Sequence, residues 1–156
     1  MKKAYILTLL FCWTLLPPSI SQSSTIATLE IIFNGIRNNK GLIAIGINSS
    51  PEGWPREPQK EAYWKKNNII DGIFTARIEN LTYGTYAISV LDDENENFEM
   101  DMFMGIPKEG FGFTGNPRVK FSPPKFEDCL FIIEKPFQQV TIDIRYISKG
   151  KRNHAE

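Results

Sequence analysis

Asp93, Asn95 and Asn97 stand at alternate positions in "DDENENFEMDMFM", residues 92–104, and Asp101 follows four residues after Asn97. The spacing D-x-N-x-N-x-x-x-D is that of the first, third, fifth and ninth positions of a calcium loop. In such a loop the chain curls so that side-chain oxygens and one backbone carbonyl converge on a hard cation. Glu99 would supply the carbonyl, so the candidate metal set is Asp93, Asn95, Asn97, Glu99 and Asp101, and calcium is the cofactor it suggests. Two positions depart from the pattern: Phe98 stands where the sharp turn calls for glycine, and Met104 where a bidentate Glu would close the shell. A side-chain-bearing residue held left-handed costs roughly 1–2 kcal/mol, so calcium is expected to be weak and structural here. Glu109 is the nearby substitute for the missing carboxylate. The other use of these residues is a hydrogen-bonded loop in which Asp and Asn cap their own backbone.

Three further constellations carry chemistry. Asp93 and Glu109 form a carboxylate pair of the kind glycosidases use, which requires a separation of roughly 5 or 9 Å inside a deep cleft. Cys129 lies in "CLFII", and the single histidine, His154, sits in the polar tail. With no base to activate its thiol, Cys129 is expected to be a small buried hydrophobe and not a nucleophile. The segment "GIPKEGFGF" lacks phosphate-loop spacing. Gly105, Gly110 and Gly112 are expected to make turns at positive φ, while Ile106, Phe111 and Phe113 tuck back onto the core. Met100, Met102, Phe103 and Met104 have no His or Cys beside them, so apolar packing is expected over copper binding.

The elements that position these residues read as strands, because apolar side chains recur at period two between Gly, Pro and Asn. Leu29, Ile31 and Phe33 share one face, as do Ile43, Ile45 and Ile47. Phe74, Ala76 and Ile78 form a third stripe, Tyr86, Ile88 and Val90 a fourth, and Val140, Ile142, Ile144 and Tyr146 a fifth; "DCLFII" adds a sixth strand. Helical period is faint and confined to "PQKEAYWKKN". Strands with one wet face must bury the other against a second sheet. The expected fold is therefore all-β, an antiparallel β-sandwich of immunoglobulin-like or prealbumin-like type with about seven strands. Two long connections, 48–68 and 92–125, stand out, and loops of that length in a small domain are functional or mobile. Trp54, Tyr63 and Trp64 in the first are expected to fold over the end of the sandwich; exposed, they would stack on a sugar or grip a partner.

Lys2 and Lys3, the apolar run Ala4–Leu16 and then "PPSISQSS" have the three-part layout of a signal peptide, with cleavage expected near Ser21. The expected organisation is a leader at 1–21, the domain at 22–147 and a polar tail at 148–156. Export is to the periplasm or the cell exterior, with no membrane span after cleavage. The chain carries 18 basic and 18 acidic residues, two of the basic ones in the leader, and has no basic block beyond "KGKR". That excludes the clustered cations nucleic acid requires.

"YAISVLDDENEN", then "MDMFMGIPKEGFGFTGNP" and "PPKFEDCLF", resemble the bacterial exported family known as domain of unknown function 2141. Gly84, Tyr86 and Ala87 match its turn and strand. Asp93, Asn95, Asn97 and Asp101 match its acidic segment, and Gly105, Pro107, Glu109, Gly110, Phe111, Gly112 and Phe113 its glycine loop. The resemblance implies an exported β-sandwich without an assigned activity, and a glycine where this chain has Phe98. The expected function is a non-catalytic exported binding or accessory module for a protein or glycan ligand. A carboxylate-based hydrolase and a purely structural envelope protein are the alternatives.

Overall fold

The computed structural model describes residues 25–119 and 122–147; the expected leader and polar tail lie outside the described residues. The described chain is mostly β and forms several sheets, with no α-helix among the described residues. Strands β1 (Ile26–Asn34), β2 (Leu42–Asn48), β3 (Lys60–Lys65), β4 (Phe74–Thr82) and β5 (Gly84–Asp93) are followed by a small hairpin of β6 (Met102–Phe103) and β7 (Ile106–Pro107). Then come β8 (Gly110–Phe113), a 3-10 turn (Phe126–Cys129), β9 (Phe131–Ile133) and β10 (Phe137–Asp143). One sheet has the order β10-β1-β4. The other runs β3-β2-β5-β8, with β9 pairing the first residues of β5.

The alternating stripes seen in the sequence are the core. Leu29, Ile31 and Phe33 of β1 join Ile43, Ile45 and Ile47 of β2, Ala76 and Ile78 of β4, Ile88 and Val90 of β5, and Ile142 and Ile144 in one buried apolar cluster. Both main sheets contribute to it. Period-two patterning produces this because successive side chains point to opposite faces, and only one face removes apolar area from water.

Five expectations are corrected. The sheets are not wholly antiparallel: β10 runs parallel to β1, with Thr28 opposite Phe137 and Asn34 opposite Asp143. Alternation decides which face a strand buries and leaves its direction open, so Ile142 reaches the core whichever way β10 runs. "KEAYWK", expected within a loop with faint helical period, is strand β3; Ala62 and Trp64 turn to the core while Glu61, Tyr63 and Lys65 turn out. In "DCLFII" only Phe131–Ile133 is strand, because Cys129 ends the 3-10 turn.

The fourth correction is that the second sheet is wet on only part of its outer face, the part that includes β3. Ala87, Phe111, Phe113, Phe126 and Cys129 form a second buried cluster elsewhere on that face, with Trp54 packed against it. The Trp54 ring meets Phe126 edge-on at 5.8 Å, and its Nε1–H donates to the Pro124 carbonyl at 3.0 Å. Trp54 thus packs inward, but against this second cluster and not over the end of the main core. Trp64 is half-buried as a strand residue, and Tyr63 is exposed. Gly110 and Gly112 are also not turn glycines. They lie in β8, and a Cβ on Gly110 would come within 2.5 Å of the Tyr146 ring, so their bare backbone lets the segment after β10 lie against the sheet. Gly105 alone of the three has positive φ, 77°.

Candidate functional site

The acidic loop begins where β5 ends. Asp93 is fully buried, and its Oδ1 accepts the amide N–H of Glu96 at 2.6 Å and of Asn97 at 3.3 Å. Its Oδ2 accepts the amide of Phe98 at 2.8 Å. Asn95 Oδ1 accepts the Asn97 amide at 3.2 Å and Asn97 Oδ1 the Glu99 amide at 2.8 Å. Those bonds fix the orientation of both side-chain amides, whose Nδ2 groups then donate to Asp101 at 3.1 and 3.2 Å. The structure therefore gathers Asp93, Asn95, Asn97 and Asp101 into one turn, with Glu99 contributing its amide N–H. The Lys108 ammonium lies 3.7 Å from Asp101 Oδ2.

Glu109 lies beneath the loop and is buried. It accepts the amides of Glu94 at 3.0 Å and Asp101 at 3.2 Å. Burial pushes its carboxyl above the usual carboxylate range, and the charges of Asp93 and Asp101 add to the shift. To coordinate calcium, Asn95 and Asn97 would have to turn their carbonyl oxygens toward Asp101. Asp93 keeps one lone pair, on Oδ2, beyond its three amide bonds. Phe98 takes the left-handed backbone the turn demands, with φ 60°, and its exposed ring meets Tyr63 edge-on at 5.4 Å.

Below the loop lies a polar cluster that sequence reasoning missed. Lys66 and Asp92 form an ion pair with both side chains sealed from solvent, and the Tyr146 hydroxyl donates to the second oxygen of Asp92. The signal was present as parity: Lys66 continues the inward series Ala62, Trp64, and Asp92 continues Ile88, Val90. Tyr146 ends the series Ile142, Ile144. Each apolar stripe ends in a polar residue at the same pole. Arg37 covers this cluster, its guanidinium 4.4 Å over the Tyr146 ring and bonded twice to Glu94, at 2.6 and 2.9 Å. That pairing holds the Glu94 carboxyl below the usual range.

A third feature is an open groove of ≈ 850 Å³ between the edge of β3 and the start of β4. Tyr63, Trp64 and Phe74 give it aromatic surface, and Asn67, Asn68 and Asp71 give it amide and carboxylate groups. Neither Asp93 nor Glu109 lines it. Cys129 is far from a reactive setting: it is fully buried, and burial, with Asp128 adding, pushes its thiol up to about 12.

No curated protein and no solved structure matches the chain. A family description does match, over residues 31–141, and it takes in the acidic loop, the glycine strand β8 and the buried Lys66 and Asp92. The chain belongs to the family described as "uncharacterized protein conserved in bacteria" (DUF2141).

Proposed function

We propose that this protein is a non-catalytic binding or accessory module, exported to the periplasm or the cell exterior. We read its fold as a β-sandwich of immunoglobulin-like or prealbumin-like type, a reading supported by the single apolar cluster that both sheets share. The observation that carries the functional proposal is the groove beside β3. An exposed aromatic face, Tyr63, stands next to side-chain amides and a carboxylate, the combination that stacks a sugar ring and bonds its hydroxyls. A glycan is therefore the favoured ligand and a protein the alternative. The acidic residues support the non-catalytic reading, because both oxygens of Asp93 and both of Glu109 are bonded to backbone amides.

The test is a glycan array probed with the folded native protein, followed by NMR titration of any hit. Binding is expected to shift the indole signal of Trp64 and to be lost in Tyr63→Ala. Binding that survives Tyr63→Ala would remove the groove from the account, and cleavage of a bound glycan would favour the hydrolase. Calcium in the acidic loop is a second, subordinate proposal. It rests on the D-x-N-x-N-x-x-x-D spacing alone: among the described residues no group of three or more Asp, Glu, His or Cys side chains stands close enough together to hold a metal ion.

A further inference from the structure

We infer that Lys66 and Asp92 condense with each other into an isopeptide cross-link, a reaction the protein carries out without cofactor. The two side chains are in hydrogen-bonding contact and both are sealed from solvent. A buried ion pair carries a desolvation cost that its mutual attraction often fails to repay, so conversion to a neutral amide relieves a penalty the fold otherwise bears. Proximity is built in, since Asp92 is held in β5 and Lys66 directly follows β3, so the reacting groups are not brought together by diffusion. The amine is further oriented by Asn38, whose Oδ1 accepts from Lys66 Nζ at 3.4 Å.

The step balances within the pair. A proton first passes from Lys66 Nζ to Asp92 Oδ1 along the hydrogen bond that joins them; the neutral amine then bonds to Asp92 Cγ, and the Cγ–Oδ1 bond breaks. Of the three ammonium protons, two leave with Oδ1 as water and one stays on the amide nitrogen; nothing is oxidised or reduced. Oδ2 becomes the amide carbonyl oxygen and carries negative charge at the tetrahedral stage. Tyr146 already donates its hydroxyl proton to that oxygen, as an oxyanion-stabilising donor must. The tyrosine is held in place by the Arg37 backbone N–H, which donates to its hydroxyl at 3.2 Å, and by the guanidinium over its ring. Both side chains are sealed from solvent, which keeps bulk water from reversing the step.

The bond would tie the end of edge strand β3, across β2, to the end of β5. It closes the segment between residues 66 and 92, as a disulfide does in other exported domains. Among the described residues the free cysteine, Cys129, is buried elsewhere.

Tandem mass spectrometry of the folded, purified native protein tests the inference. The peptide carrying Lys66 and the peptide carrying Asp92 are expected as one species, lighter by one water than their sum, and Lys66→Arg is expected to lack it. Wild-type protein that is folded by circular dichroism yet yields the two peptides separately, with Lys66 unmodified, overturns the cross-link. Tyr146→Phe keeps the ring and removes the hydroxyl, and is expected to lower the linked fraction at a fixed time after refolding. Undiminished linkage in Tyr146→Phe overturns the part assigned to that hydroxyl.

Discussion

Phe98 holds a backbone conformation that costs a residue with a side chain roughly 1–2 kcal/mol, and its ring recovers some of that against Tyr63. In a Tyr63→Ala background, where the edge-on contact is already gone, Phe98→Gly is expected to stabilise by roughly 0.5–1 kcal/mol after the entropy of glycine is counted, as read by urea denaturation. Asp93 is the opposite case, a single carboxylate that satisfies three amides. Asp93→Ala is expected to cost roughly 2–3 kcal/mol in the same measurement. Cys129 gives a pH signature. The folded thiol keeps a proton that the unfolded chain, with an ordinary pKa of 9.0, releases. Its contribution is therefore complete below pH 9 and is lost as pH rises toward about 12, and Cys129→Ala should flatten that alkaline loss in melts taken across the range. The acidic loop was legible in the sequence because the bonds of Asp93, Asn95 and Asn97 join residues within nine positions of one another. Lys66 and Tyr146 were not, because an isolated Lys or Tyr says nothing of burial until the inward stripe it ends is known.

Strand β8 shows how an element misleads when read locally. "GFGF" suggests turns, and the reason it is a strand lies 30 residues away, in Ile142, Ile144 and Tyr146 pressed against the bare glycines. Gly110→Ala is expected to displace Tyr146 and cost about 1–3 kcal/mol, whereas Gly105→Ala meets nothing within 4 Å and should cost only its backbone strain of about 1 kcal/mol. Comparing the two urea midpoints checks this. The acidic loop is an element with its own test. Should it hold weak calcium, melts with the ion and with chelator are expected to differ by a few degrees, since an ion at ten times Kd adds about 1.4 kcal/mol, and Asp93→Ala is expected to abolish the difference. Identical melts would leave the loop as a hydrogen-bonded turn. Strand β3 escaped the sequence reading because its inward stripe has only Ala62 and Trp64 between charged neighbours, too short a run to separate from a helical pattern.

At the scale of the molecule, the stripes marked the core that the two main sheets share, and they left open which strands neighbour which and the second buried cluster behind β5 and β8. Export is tested directly: mass spectrometry of the native protein is expected to show a mature N-terminus within a few residues of Gln22, and a chain still starting at Met1 in the membrane fraction would refute it. The parallel pairing of β1 with β10 has a mechanical consequence. The chain enters the domain at Ile26, at one pole, and leaves β10 at Asp143, at the other, along strands that lie side by side. Tension applied through these two ends slides β1 and β10 past each other, loading the ladder from Thr28–Phe137 to Asn34–Asp143 in shear. Its hydrogen bonds then share the load and yield together, where a hairpin pulled from its open end would unzip one bond at a time. Tethered at both ends, the domain would resist stretching as a clamp.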